Sequence, residues 1–293
     1  MNKPPAPSST SSDKPARRPV SFSQPFDLSG LPERRLPPKV NGHSQHDSPV
    51  AAPGIDLAGR PKVWFVIGRG RIGKTTLIRW AAETLAARGG AECVYAAADP
   101  VNRSLKTFLR EVEVSEPPTD DPDEVALWLQ GLLGFAMSDN GTSALVDLGG
   151  GDTSLSRLLR TMPDLSTVMD KSPVAPVAIH VVGTDEHDLV PLAAMEEAGF
   201  APKATAIVFN EMTGTRPEFA RVMQHSVVQA ALRRGAVPIW MPKLAPAVVR
   251  AVDARGLHFT KAADELGWLE GAPVRVWLQQ MARQFEPIST WLP

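Results

Sequence analysis

A single cysteine, Cys93, stands in 293 residues. No intramolecular disulfide can form, and no cysteine-built metal cluster within one chain. That scarcity fits a reducing cytoplasm better than a disulfide-stapled secreted fold. Cys93 belongs to the apolar run Cys93-Val94-Tyr95-Ala96-Ala97-Ala98, where an unpaired cysteine ordinarily fills a core position. Excess charge of either sign is missing as well, the formal net charge being −1. This excludes a surface coated uniformly with positive charge and leaves a local basic face open. No stretch approaches the ~18 uninterrupted apolar residues of a membrane span. The N-terminus lacks the apolar core of a secretory signal, no His/Asp/Glu group has zinc-ligand spacing, and no internal repeat is present.

Hydrophobic residues make up 43% of the chain and charged residues 22%, close to the globular average and enough for a core. The material is unevenly spread. Eleven of residues 1–60 are proline, with Ser, Asn, Gln and Gly filling much of the rest. Such a segment cannot bury enough apolar surface to offset its ordering entropy, so 1–60 is expected to be a disordered tail. It is either a solvated leader or a tether, with Val20-Ser21-Phe22-Ser23-Gln24-Pro25-Phe26 as its best docking motif. From Pro61 the pattern turns to strand, loop and helix in alternation. Apolar runs at 63–67, 93–98, 143–148, 177–182, 204–209 and 237–241 read as buried parallel strands. Helical periodicity at 75–88, 123–137, 154–169, 185–198 and 217–234 separates them, and helices run on to the C-terminus. The expectation is one α/β domain over 61–293: a parallel sheet covered by helices on both faces.

The strongest motif is Gly68-Arg69-Gly70-Arg71-Ile72-Gly73-Lys74-Thr75, a G-x-x-x-x-G-K-[ST] phosphate loop set after an apolar strand and before a helix. Glycines let the backbone curl until successive N–H groups point at phosphate oxygens, and the helix adds its positive N-terminal end. Lys74 supplies a charge to the β- and γ-phosphates of a nucleotide such as ATP, and the Thr75 hydroxyl can ligate Mg²⁺. Asp147 closes a strand and precedes Leu148-Gly149-Gly150-Gly151-Asp152, where a Walker B acid holding Mg²⁺ through water belongs. Asp99 ends the preceding strand and is placed to orient an attacking water. Either acid can instead cap a turn. Asp152 reads as an N-cap, and its glycine neighbours permit a loop that senses a γ-phosphate.

This order of motifs resembles the ParA/MinD family of P-loop ATPases, whose deviant Walker A loop reads K-G-G-x-G-K-[ST]. The matching segment is Arg69–Thr75, and the family's D-x-D-P reads Ala97-Ala98-Asp99-Pro100. The first acid is lost and the second kept. Asp99-Pro100-Val101-Asn102-Arg103, Ala178–Val182 and Phe209-Asn210-Glu211 look most like the TraL/StbB branch of plasmid-transfer and plasmid-stability proteins. The resemblance spans roughly residues 62–265 by pattern. It implies nucleotide contacts from Gly68, Arg69, Gly70, Arg71, Ile72, Gly73, Lys74, Thr75 and Thr76, with Asp99 as the catalytic acid and Asp147 beside Mg²⁺. Asn210 would read the adenine edge, although an asparagine there can also cap a turn. It further implies an ATP-dependent homodimer that opens on slow hydrolysis, acts with DNA and a plasmid-encoded partner, and resides in the bacterial cytoplasm or on the nucleoid. Two positions depart from the pattern. Arg69 stands where the signature lysine reaches across the dimer, and is read as an arginine finger in trans. Arg71 replaces a glycine and adds bulk.

Two further features have plainer readings. Val274, Trp277, Leu278, Met281, Phe285 and Ile288 recur at helical spacing. With few cations nearby they read as core or dimer packing rather than as a membrane helix. Arg233, Arg234, Lys243, Arg250, Arg255 and Lys261 can form a DNA face or a solvated surface, and acids are interleaved among them. His180, inside an apolar strand, reads as a buried, hydrogen-bonded histidine. A non-hydrolysing nucleotide-locked scaffold and a positioning ATPase for division or an envelope machine remain as alternatives.

Overall fold

The structure is a computed structural model that describes residues 55–89, 92–98, 105–106, 109, 113–138, 141–150 and 153–293. The expected docking motif at 20–26, Asp99 with its neighbours 100–103, and Asp152 lie outside these residues. Seven strands form one sheet: β1 (Lys62–Ile67), β2 (Cys93–Ala97), β3 (Val114–Ser115), β4 (Ser143–Asp147), β5 (Ala175–Val182), β6 (Ala204–Asn210) and β7 (Val237–Met241). Their order is β3-β2-β4-β1-β5-β6-β7, and every pairing is parallel. Alternation along β1 shows why both faces need helices. Val63, Phe65 and Ile67 enter one apolar layer, Trp64 and Val66 the other. With the phosphate loop between β1 and the first helix, this is the P-loop nucleoside triphosphatase fold that the sequence implies.

One layer contains α1 (Lys74–Ala87) with α8 (Pro246–Ala254), α9 (Phe259–Glu265) and α10 (Gly267–Gln284). The other contains α2 (Pro122–Ala136), α3 (Ser154–Thr161) and α4 (Leu165–Lys171), continued over β5 and β6 by α5 (Val190–Glu197), α6 (Ala220–Gln224) and α7 (Ser226–Arg233). Local signals set several boundaries. Asp121 caps α2, its Oδ1 accepting from the N–H groups of Asp123 at 3.0 Å and Glu124 at 3.1 Å. The single helix expected over 154–169 is two, because Pro163 cannot continue the first. Likewise 217–234 breaks at His225, whose ψ of 139° is extended. The two-residue β3 lies below the length at which periodicity is visible.

The C-terminal stripe is core. Val274, Trp277, Met281, Phe285 and Ile288 are buried, Leu278 partly so, and Trp277 Nε1 donates to the Pro242 carbonyl at 2.9 Å. Other residues of α10, Trp268, Leu269 and Val276, are exposed. Packing begins before Pro61: Leu57 is buried and Trp291 Nε1 donates to the Ile55 carbonyl at 2.9 Å. Arg79 binds α1 to the C-terminal helices. Its guanidinium meets Glu83 Oε1 at 3.1 Å, Asp253 Oδ1 at 2.8 Å and the Leu257 carbonyl, and lies 4.1 Å from the Phe259 ring. Glu83 Oε2 accepts from the Thr260 N–H at 3.0 Å, while burial pushes this carboxyl above the usual range.

His180 on β5 is buried as expected, but its Nδ1 has no hydrogen-bond partner. Burial drives the imidazole down to about 3 from 6.5. The unfolded chain therefore binds this proton first. The stability contribution is complete above pH 6.5 and is lost as pH falls toward 3. Replacing His180 by Leu should reduce the acid slope of stability by up to ~1.4 kcal/mol per pH unit in that window. Urea unfolding of both proteins at pH 7, 6 and 5 reads the difference, and equal slopes would refute it.

Candidate functional site

The phosphate loop follows β1 directly. Gly73 caps α1 with φ of 100°, a left-handed conformation that side chains resist. A Cβ there would also meet Asn210 Nδ2 at 2.4 Å. Arg71 takes φ of 64° and is the one non-glycine with positive φ among the described residues. It thus occupies a glycine-like conformation at the position where the resemblance places a glycine, at a steric cost of ~1–2 kcal/mol. Arg69, Gly70 and Arg71 are exposed and Ile72 is buried.

Lys74 is buried, and its Nζ donates to the carbonyls of Gly68 and Arg69, both at 3.0 Å. The ammonium is therefore arched over the loop it serves. Thr75 Oγ1 donates to Asp147 Oδ2 at 3.1 Å, so the two expected metal residues meet. Their oxygens are the hard donors that Mg²⁺ takes, and the short distance between them fits a shared ion with water completing the shell. Thr76 follows in the same turn, half-buried. Asp147 itself is buried at the end of β4. Beyond it, Gly150 presses on the phosphate loop: a Cβ at 150 would lie 2.1 Å from the Gly70 nitrogen. The loop after β4 and the phosphate loop are in direct backbone contact, and only glycine fits between them.

Asn210, expected at the adenine edge or capping a turn, packs against the phosphate loop. It is buried at the end of β6, its Nδ2 donates to the Ile72 carbonyl at 2.7 Å, and its Oδ1 accepts from the Met212 N–H at 3.0 Å. Both ends of the amide are engaged, one on the phosphate loop and one in a local turn. Arg69, the proposed trans finger, is tied within its own chain: Nη1 lies 3.2 Å from Asp188 Oδ1, with the arginine side chain 47% exposed and the aspartate 10%. Asp188 sits in the short 3₁₀ turn Glu186–Leu189 after β5. Sequence reading missed it, since Asp185-Glu186-His187-Asp188 resembles any acidic helix start. Asp185 lies nearby, and its carboxyl is held low mainly by the backbone and ring of His187, with Arg69 contributing least.

Of the six cations weighed as a DNA face, Arg234 pairs with Glu196, and Arg255 lies 3.6 Å from Glu270. No helix among the described residues is long and apolar enough to cross a membrane.

No family model matches the sequence, and no curated protein matches it. Solved structures give partial overlaps. Chloroplast FtsY from Physcomitrella patens matches at TM-score 0.43 and 17% identity, over 64% of this chain and 60% of that one. The signal recognition particle receptor FtsY from Elizabethkingia anophelis, in complex with GDP, matches at 0.42 and 18%, over 67% of this chain and 61% of that one. The MinD cell division protein of Aquifex aeolicus matches at 0.45 and 16%, over 77% of this chain and 96% of that one. The chain thus spans about three-fifths of these two FtsY chains.

The left-handed Arg71 yields a direct test. Arg71→Gly should stabilise the protein by about 0.5–1 kcal/mol, the relieved strain exceeding the entropy glycine adds to the unfolded chain. Arg71→Val should destabilise it. Denaturant midpoints decide, and a destabilised Gly variant would contradict the strain.

Proposed function

We propose that this protein is a nucleotide-dependent P-loop switch that binds Mg-ATP and hydrolyses it slowly. The meeting of Thr75 and Asp147 beneath the Lys74 arch carries this reading: a cation, a hydroxyl and a carboxylate converge where β1 turns into α1. Loop N–H groups and the α1 N-terminus would cradle the phosphates. Lys74 would turn its ammonium from the loop carbonyls to the β- and γ-phosphate oxygens. Thr75 and Asp147 would hold Mg²⁺, which neutralises charge developing on the transferred phosphoryl group. Asp99 is assigned to orient the attacking water, as its place after β2 in the sequence suggests.

The switching element in this proposal is the glycine loop after Asp147. A γ-phosphate entering the cradle would press on the contact between Gly150 and Gly70, so the loop would have to move when triphosphate binds. Arg69 supplies the second half of the device. Released from Asp188, its planar fork would be available to the phosphates of a second copy. In the pair it is held back, which gives the site a closed, self-satisfied resting state. The sequence resemblance to plasmid-partition and transfer ATPases supports a role in moving or retaining DNA together with a partner protein. The cis pairing of Arg69 favours one alternative, a nucleotide-locked scaffold in which the finger is never released.

Light scattering of Asp99→Ala with Mg-ATP and with Mg-ADP separates the two. The switch predicts a dimer with ATP and a monomer with ADP; a monomer in both, with ATP binding confirmed by calorimetry, leaves the scaffold. Lys74→Ala should weaken ATP binding at least tenfold, since a buried charge-assisted contact is worth about 1.5–3 kcal/mol. Unchanged affinity would overturn the phosphate-site assignment. Asp188→Asn should raise the dimer fraction with ATP and Arg69→Ala should lower it, with mass again the readout.

A further inference from the structure

A cavity of about 270 Å³ opens between the later turns of α1 and the C-terminal part of α10, with the 3₁₀ turn Glu286–Trp291 beyond it. It lies toward the opposite end of α1 from Lys74, and Arg88 in its lining is ~20 Å along the helix from that residue. Its apolar floor includes the rings of Trp80 and Phe285, whose centroids are 4.6 Å apart. Its polar lining residues are Thr84, Thr260, Ser289 and Arg88, the Thr84 hydroxyl donating to the Trp80 carbonyl at 2.7 Å, and no acidic residue lines it among the described residues. Arg88 is exposed at the end of α1 and makes no ion pair with any described residue.

An apolar interior with hydroxyls and one free guanidinium, and no acid, selects a ligand with an apolar tail and an acceptor head. The space equals about nine water volumes at ~30 Å³ each, room for roughly nine or ten heavy atoms. The charge on the head is bounded as well. Arg88 caps the C-terminus of α1, where the helix carries partial negative charge. One planar guanidinium against that field suits a monoanion better than a dianionic phosphate, and its fork matches a carboxylate.

We propose that this cavity binds a medium-chain alkyl carboxylate, the tail over Trp80 and Phe285 and the head on Arg88. The site is independent of the nucleotide assignment, so the two fail separately. Calorimetric titration of the full chain with octanoate and with octylamine tests it. Octanoate should bind at least about tenfold more tightly than octylamine, the scale of one charge-assisted hydrogen bond. Arg88→Gln, at an exposed position, should abolish that preference, and Ala282→Phe should fill the cavity and remove octanoate binding while the circular dichroism spectrum stays unchanged. Absence of octanoate binding, equal binding of octylamine, or octanoate affinity unaltered in both variants would overturn the proposal.

Discussion

The bond from Asn210 Nδ2 to the Ile72 carbonyl, 2.7 Å long and buried, is the contact on which the phosphate site depends. A phosphate loop must turn its N–H groups inward, so its carbonyls point back into the protein, where each needs a donor. Ile72 has no strand or helix partner to supply one, and the end of β6 does so. That single bond couples three elements. It holds the loop before α1, it fixes β6 against β1 with β5 between them, and it leaves no room for a side chain at Gly73. An unpaired amide in this place would cost about 1–3 kcal/mol and would free the loop that Lys74 closes from above.

Around that bond the chemistry divides between backbone and side chains. Backbone geometry forms the cradle, and it tolerates Arg71 in a conformation that glycine would hold more cheaply. Side chains supply the polar contacts: Lys74 on its own loop carbonyls, Thr75 on Asp147, Arg69 on Asp188. Each of these groups has a partner within the chain. A triphosphate, if bound as proposed, would compete with these internal partners rather than fill an empty field. That makes the site suited to two states separated by modest free energy, as a switch requires.

Much of this was legible beforehand, for identifiable reasons. Continuous apolar runs at β1, β4, β5 and β6 announced strands buried on both faces, and Gly68–Thr75 named its own place between strand and helix. Asp147, a strand-end acid followed by glycines, was singled out for that pattern, and it meets Thr75. What local pattern left out is equally physical. Asn210 was expected at the adenine edge or capping a turn; it does accept from the Met212 N–H, but its bond to the Ile72 carbonyl is a contact across 138 positions that no local pattern encodes. Asp188 was hidden for the same reason, since its partner is 119 positions away. Ile55 to Arg60 belong to a proline-rich stretch by composition, but Leu57 buries itself and Arg60 donates to carbonyls from Met169 to Val174. Composition averages over a window and cannot see one anchoring arginine.

The guanidinium of Arg79 sits between Glu83 on its own helix and Asp253 on α8, over Phe259 on α9. These positions cannot vary one at a time. Losing Asp253 or Glu83 leaves the buried Arg79 cation with one acid instead of two, and losing Arg79 leaves the buried Glu83 without its guanidinium partner. The C-terminal helices are thereby part of the α/β domain's foundation rather than an appendage. Among descendants of this chain, 79, 83 and 253 should change together or not at all, and a gene fusion or truncation entering between α7 and α9 would strand a charge inside the helix that begins at the phosphate loop.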